Sequence, residues 1–228
     1  MVDFHSHILP GVDHGSASLE MSVEMLKTAK KAGVATIVAT PHFYKHKMDL
    51  EDFLSRRNES YTLLTNYLAE NNSLGIQIIP AAEVALESNL LSVDLKKLAI
   101  GGTNHILIEM PMYGRWHSWM FDMLFEIESK FSLSVILAHI DRYSKENVDK
   151  LLDLDFICQM NAEAFVTGSF FDKRRMRALC SKGYVHLIGS DAHGTKERTY
   201  QDLVSASQKL PKSLLSQFES NANEILKI

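Results

Sequence analysis

Val34-Ala35-Thr36-Ile37-Val38-Ala39-Thr40-Pro41-His42 is a nearly unbroken β-prone apolar run that closes on a histidine. So short a run, with no polar alternation, suits a parallel strand buried on both faces. The pattern recurs along the chain, with strands expected near 2–5, 34–40, 76–83, 105–110, 133–139, 156–161 and 185–190. Helices are expected near 18–32, 50–70, 116–130, 144–153, 171–182, 198–209 and 212–226. On the first of these, Leu19, Val23, Leu26 and Ala29 form one apolar stripe. Gly33 and Gly183 stand where a helix hands over to a strand; the fifth strand follows Phe131-Ser132 and lacks that signal. The strand-then-helix unit repeats at roughly 25–35 residues, the size of a βα unit.

Such repetition gives either an open doubly wound sheet or a closed barrel. The residues that follow the strands separate the two. His5 and His7, His42, Glu83, Glu109, His139, Asn161, then Asp191 and His193 all fall at strand C-termini. Across an open sheet, strands about 4.8 Å apart would keep the outermost of these from sharing one site. In a barrel the same ends converge on one mouth. The expected fold is therefore α/β, a distorted (βα)7 TIM-like barrel with its site at the C-terminal ends of the strands. Without a Pro/Gly/Ser-rich linker or low-complexity tract, residues 1–228 read as one domain.

Composition narrows the function. Hydrophobic residues at 46% and charged ones at 23% describe a folded chain rather than a disordered one. No apolar run reaches the ~18–20 residues of a membrane helix, and the strand-like start leaves no room for a leader peptide. Two cysteines, Cys158 and Cys180, build no disulfide framework and suit a reducing cytoplasm. A net charge of −4 disfavours a broad nucleic-acid face. Ten histidines make metal ligation the first question.

Asp3-Phe4-His5-Ser6-His7 places two imidazoles on one side of a strand, where one metal can take both, with Asp3 as a supporting partner. On its own a His-x-His is as readily a surface pair. Asp13 and His14 in the loop from Leu9 to Gly15 add two candidate ligands. Glu83 and Glu109 end apolar strands, where a carboxylate is costly unless paired or metal-bound; salt bridges to Arg142, Arg198 or a lysine are the plainer alternative. Each position alone has an ordinary explanation, but all of them in phase with seven strands point to a metal site. His46, His105, His117 and His186 lie away from the expected mouth, and Met120 and Met123 read as packing. A cysteine-dependent phosphatase needs arginine six residues after its cysteine, but those positions hold Ala164 and His186. Neither a phosphate-binding P-loop nor a nucleophile elbow is present.

DFHSHILPGVDHG, ATPH, AAE, LIEMP, AHIDRY and GSDAH, in this order, resemble the motifs of the PHP (polymerase and histidinol phosphatase) superfamily. Within it they are most similar to the bacterial manganese-dependent protein-tyrosine phosphatases of capsule and exopolysaccharide loci, from residue 2 to about 205. The resemblance implies up to three divalent ions, manganese foremost, with Fe, Zn, Co or Mg as alternatives. It assigns His5, His7, Glu83 and Asp191 to one ion, Glu83, Glu109 and His139 to a second, and His42, His193 and His14 to a third. Where the family has Asp-Asp-Gly this chain has Asp13-His14-Gly15, so Asp13 is the runner-up for His14. Asp141 stands where the family often has Glu.

What the resemblance implies for mechanism is a positive pocket, since three divalent ions outweigh Glu83, Glu109 and Asp191. Metal-bound hydroxide would attack phosphotyrosine while Arg142 and Arg198 hold the phosphoryl oxygens as the catalytic side chains. The implied partner is a phosphotyrosine protein, the tyrosine-rich tail of a cognate bacterial kinase, with no nucleic acid and no membrane insertion; homo-oligomerisation is open. Two readings compete: a PHP phosphatase for a small metabolite such as histidinol phosphate, and a non-catalytic metal-binding protein. An amidohydrolase would want a strand-end lysine, and none is present. Aromatic mouth loops would favour a peptide substrate, and Tyr44, Tyr113, Trp116, Phe170 and Phe171 are the residues in question.

Overall fold

Nine strand segments, all paired in parallel, make up the core of the computed structural model, which describes residues 1–71, 74–196 and 198–228. They are β1 (Val2–Ser6), β2 (Thr36–Ala39), β3 (His42–Phe43), β4 (Gln77–Pro80), β5 (Glu83–Ala85), β6 (His105–Glu109), β7 (Ser134–Leu137), β8 (Ile157–Asn161) and β9 (Leu187–Gly189). Two of the seven barrel strands are each broken in two, the second resuming beyond its expected end at residue 40. Pro41 has no N–H to give the ladder and interrupts the second strand between β2 and β3. The third breaks between β4 and β5 at Ala81-Ala82. Bonding continues through both breaks, from Ala81 N–H to Ala39 O (2.9 Å) and Glu83 N–H to Pro41 O (3.0 Å). Counted through the breaks, seven strands follow one another in chain order. The last returns to the first: Asp191 N–H donates to His5 O (2.7 Å) and His7 N–H to Ala192 O (3.0 Å). Barrel closure is therefore seen in hydrogen bonds.

Helices α1 (Leu19–Lys31), α2 (Leu50–Glu70), α3 (Ser118–Phe131), α4 (Lys145–Leu151), α5 (Phe170–Ser181), α6 (Tyr200–Lys209) and α7 (Lys212–Leu226) follow the strands. Between β5 and β6 the chain makes only 3-10 turns, at Leu90–Ser92 and Leu95–Leu98. Gly33 and Gly183 take positive φ (77° and 80°) at the exits of α1 and α5, the left-handed turn that ends a helix. The fifth strand has no glycine there because Ser132 itself takes φ 54° after α3.

Alternate residues of the strands join two buried clusters. Val2, Phe4, Val38, Ile79, Leu107, Ile136 and Leu187 pack with one another and with Ala222, Ile225 and Leu226 of α7. Their neighbours Ile37, Ile78, Ile106, Val135 and Ile188 pack against helix residues such as Leu26, Leu124 and Leu179. The first set lines the ring and the second faces the helices, so both faces of the strands are buried. The period of two then carries the inward direction upward, from Ile79 through Ala81 to Glu83, from Leu107 to Glu109, and from Leu187 through Gly189 to Asp191. That alternation delivers the polar residues to the inside of the mouth.

At the opposite end of the barrel, His105 and His186 share a cavity of about 320 Å3 with Asn221, Glu224 and Ile225 of α7. Burial lowers the pKa of both, and the positive charge of Lys227 lowers His105 further. The Nδ1 of His186 accepts the Cys158 N–H at 3.0 Å, which favours the neutral ring. Below the ordinary histidine value of 6.5 the unfolded chain binds more protons at these positions than the folded one. Stability from this pair is thus present above pH 6.5 and is lost as pH falls below it. A His105→Gln/His186→Gln variant should lose less of its melting temperature between pH 7 and pH 5 than the parent does. Parallel pH slopes for the two proteins would refute this.

Candidate metal centre

The mouth is built on backbone that few side chains tolerate. His139 (φ 31°), Asp191 (φ 50°) and Arg198 (φ 45°) are three of the five non-glycine residues with positive φ among those described. Such conformations cost energy and persist where the surroundings over-determine them, often at functional sites. Two glycines permit the close packing. A Cβ on Gly15 would lie 2.4 Å from His7 Cβ, and one on Gly189 would lie 2.6 Å from His5 Cβ.

The side chains converge from strand ends all round the ring. His5 Nε2 lies 3.2 Å from His7 Nε2, 3.3 Å from Glu83 Oε2 and 3.6 Å from Asp191 Oδ1. His7 Nε2 is 3.2 Å from Glu83 Oε2 and 3.3 Å from Asp191 Oδ1. The other edge of Glu83 meets His139, whose Nε2 is 2.7 Å from Oε1 and 3.6 Å from Glu109 Oε1. His42 Nδ1 lies 2.9 Å from Glu83 Oε2 and 4.0 Å from Glu109 Oε2. Glu83 is thus the shared carboxylate, in contact with four imidazoles.

Second partners fix the rings. His7 Nδ1–H donates to Asp13 Oδ2 at 2.7 Å, and His5 Nδ1–H to Gln159 Oε1 at 3.1 Å. His193 Nδ1–H donates to the Asp191 carbonyl at 2.8 Å. Each bond puts the proton on Nδ1 and leaves a lone pair on Nε2, the tautomer that ligates metals. Two such lone pairs facing each other at 3.2 Å repel, and a cation between them turns repulsion into binding. Glu83 Oε2, Asp191 Oδ1 and His193 Nε2 are buried without a hydrogen-bond partner. Three trios, His5–His7–Glu83, His7–His42–His193 and His42–Glu83–Glu109, each bring their ligand atoms within 4.8 Å of one another. By donor chemistry, spacing and orphaned atoms, the residues fit divalent cations.

The charges are mutually supporting. Burial alone would raise the carboxyl pKa values, but when protonated His5 and His42 hold Glu83, and His5 and His7 hold Asp191, well below the usual range; a divalent ion on the Nε2 lone pairs would take the place of that proton charge. Glu109 goes the other way, raised by burial and by the neighbouring charge of Glu83. Burial, with Glu109 and Glu83, raises Tyr44, so its Oη, 3.2 Å from His42 Nδ1, keeps its proton at neutral pH.

Asp13 is placed differently from a ligand. Its carboxylate accepts from His7 Nδ1, from His42 N (2.9 Å) and from Gly15 N (2.9 Å), which occupies it in holding the loop. His14 is the more exposed of the two. Its ring lies parallel to His42 (4.8 Å, 9°) and 4.6 Å from His193, though outside the three tight trios. Asp3 does not support a histidine ring, as its position had suggested. It accepts from Ser190 N (2.7 Å) and Ser190 Oγ (2.7 Å) and so ties β1 to the turn bearing Asp191. Gln159 is the residue that sequence reading missed. It bonds His5 and also takes the His139 N–H at 2.7 Å. Its inward position on β8, two residues before Asn161, was the available signal.

Arg142 and Arg198 stand at the rim, each donating from Nη1 to Asp191 Oδ2, at 3.2 and 2.9 Å. Asn161 Nδ2 joins them there at 2.9 Å. This bonding holds Asp191 by one oxygen and leaves Oδ1 turned to the histidines. Of the aromatic residues weighed from sequence, Tyr113 is 92% exposed, Phe170 72% and Phe171 77%. Trp116 is instead buried, its Nε1–H on Pro111 O (2.9 Å) and its ring edge-on to Tyr143. Beside His14 and His42 opens a recess of about 200 Å3, walled by Val12, Tyr44, Lys47 and Met48 over buried Phe43 and Phe53.

Comparison with known proteins places this architecture. The profile of the family described as "Capsular polysaccharide synthesis, CpsB/CapC" matches residues 1–226. The tyrosine-protein phosphatase CpsB of Streptococcus agalactiae is 27% identical over 214 residues, which cover 87% of this chain and 85% of that one. The tyrosine-protein phosphatase YwqE of Bacillus subtilis is 28% identical over 210 residues, covering 88% and 80%. Among solved structures, one from a study of Bacillus subtilis YwqE and Streptococcus pneumoniae CpsB, described as metal-dependent tyrosine phosphatases, superposes with a TM-score of 0.84. It has 23% identity and covers 100% of this chain and 94% of that one, so it bears on the fold. A TatD-like protein from Archaeoglobus fulgidus shares the fold more distantly, with a TM-score of 0.55, 13% identity and full coverage of both chains.

Proposed function

The chain belongs to the CpsB/CapC family of capsular polysaccharide synthesis, and on that premise we propose that it is a metal-dependent phosphatase of phosphotyrosine proteins. The observation that carries this reading is the convergence of buried, partly unpartnered imidazole and carboxylate donors beside an aromatic-walled recess. His5, His7, Glu83 and Asp191 would hold one ion, Glu83, Glu109 and His139 a second, and His42, His193 and His14 a third. Such ions supply Lewis-acid activation of water and neutralise phosphoryl charge near neutral pH. Manganese is the first choice; carboxylates and imidazoles without thiolate also accept Fe, Zn, Co or Mg, according to supply.

The chain's own side chains supply the rest. The recess beside His14 is of a size and lining to take a phenyl ring, which favours an aryl phosphate over a small polar metabolite. Arg142 and Arg198 spend one donor each on Asp191 and retain others with which to pair two phosphoryl oxygens. A tyrosine leaving group, with a pKa of ~10, departs with little help from an acid. Replacing either arginine by lysine should raise KM for an aryl phosphate about tenfold or more, because lysine lacks the fork. Unchanged steady-state constants would remove both from this role.

We further assign the substrate to the tyrosine-rich tail of a cognate bacterial kinase and the site of action to the cytoplasm. Two free buried cysteines suit a reducing compartment, and no described helix is long and apolar enough to cross a membrane. The test is turnover of a phosphotyrosine peptide against the same peptide with phosphoserine and against histidinol phosphate. Preference for phosphotyrosine is expected. Preference for histidinol phosphate would favour the metabolite enzyme, and no turnover of any would favour a non-catalytic metal-binding protein.

A further inference from the structure

Helix α5 begins Phe170-Phe171-Asp172-Lys173-Arg174-Arg175-Met176-Arg177. Its only acid, Asp172, is engaged in a capping box with Ser169. Four cations therefore crowd the first two turns, and Lys173, in the first, stands against the positive end of the helix dipole. Lys173 and Arg177 are like charges four residues apart on one face, which is also unfavourable.

The same face lines a groove of about 370 Å3, formed by Phe165, Phe170, Lys173, Arg174, Arg177 and Lys209. Among the described residues, none of its four cations lies within ion-pair distance of a carboxylate, whereas Lys45, Lys97, Arg115, Lys145 and Lys150 each have one. A concentrated, uncompensated positive groove on a chain of net charge −4 is a local exception. It is tied to the metal centre along the chain. Its floor residue Phe165 closes the 3-10 turn Ala162–Phe165, which follows directly on Asn161, the residue that donates to Asp191.

We infer that this groove binds an acidic stretch of the substrate protein flanking its phosphotyrosine, with Phe170 covering the bound segment. The inference rests on the phosphatase reading above and adds to it what the enzyme recognises beyond the phosphorylated ring. A concave, cation-lined groove suits carboxylate side chains of an extended peptide better than the flat surface of a lipid bilayer. Charge complementarity at a rim acts through encounter and salt dependence, so the effect belongs mainly in KM.

The test compares phosphotyrosine peptides flanked by glutamates with the same peptides flanked by glutamines, on the parent and on Arg174→Glu/Arg177→Glu. The parent should turn over the acidic peptide with a kcat/KM roughly tenfold higher at low salt, the gain shrinking as salt rises. The variant should lose that preference while turning over p-nitrophenyl phosphate, which has no flank, at the parental rate. Equal treatment of both peptides by the parent would overturn the inference. Binding of the unphosphorylated glutamate peptide, followed by fluorescence anisotropy, separates this from the activity itself. A parent that hydrolyses nothing but binds that peptide, with binding lost in the variant, would support the groove and defeat the phosphatase reading. Charge-dependent binding to phosphatidylserine vesicles without any peptide preference would replace the acidic peptide with a membrane and overturn the assignment.

Discussion

Replacing Glu83 by glutamine should lower phosphotyrosine turnover by more than about 100-fold, the upper end of what loss of a merely supporting contact costs at a metal site. Glu83 touches His5, His7, His42 and His139, and no other carboxylate among the described residues approaches as many imidazoles. Glutamine keeps the shape and one carbonyl oxygen but loses the charge that two proposed ions would share. Divalent metal content should fall with activity, and the variant should remain folded by circular dichroism. A plain salt-bridge role predicts the reverse: a large loss of stability with near-normal turnover per folded molecule. That result would remove Glu83 from the centre of the account.

Gly189→Ala should damage the site through the backbone rather than through any ligand. The added Cβ would sit 2.6 Å from His5 Cβ and 2.9 Å from both His5 N and Gln159 Nε2. His5 N belongs to the strand that closes the barrel, so the clash cannot be relieved by swinging a side chain aside. Overpacking of this kind costs about 1–3 kcal/mol, sometimes more. For a chain of this length that is a fall in melting temperature of roughly 3–10 °C. Activity should fall as well, because His5 and its partner Gln159 are both displaced. A variant with parental stability and turnover would mean that the turn has slack that the packing does not show.

Much of the architecture is legible in the sequence because parallel barrel strands are apolar on both faces and end where function begins. The run from Val34 to His42 gives strand, break and candidate ligand in nine residues. The two strand breaks are less legible. Pro41 signals the first, and Pro80, directly before Ala81-Ala82, is the signal for the second, although the expected strand 76–83 runs through it. Ser132 shows the same limit: a serine with positive φ replaces the expected glycine, and only tertiary context selects it.

Ligand-type residues were easier to find than the residues that orient them. A histidine at a strand end advertises itself, whereas Gln159 looks like any buried amide until His5 and His139 are seen on its oxygen. Asp13 and Asp3 were legible as acids near the site but not in their roles. Asp13 fixes His7 and the loop, and Asp3 fixes Ser190, because a carboxylate satisfied by nearby N–H groups has little left for a metal. Position alone places Trp116 with the mouth aromatics, but its Nε1–H bonds the Pro111 carbonyl and the ring is buried instead.

The most direct test of the central claim is metal content measured on the purified protein beside turnover of a phosphotyrosine peptide, before chelation, after it, and after return of Mn2+. Two to three divalent ions per chain are expected, with loss of turnover on their removal and its recovery with Mn2+. Undiminished turnover in metal-free protein would contradict that claim.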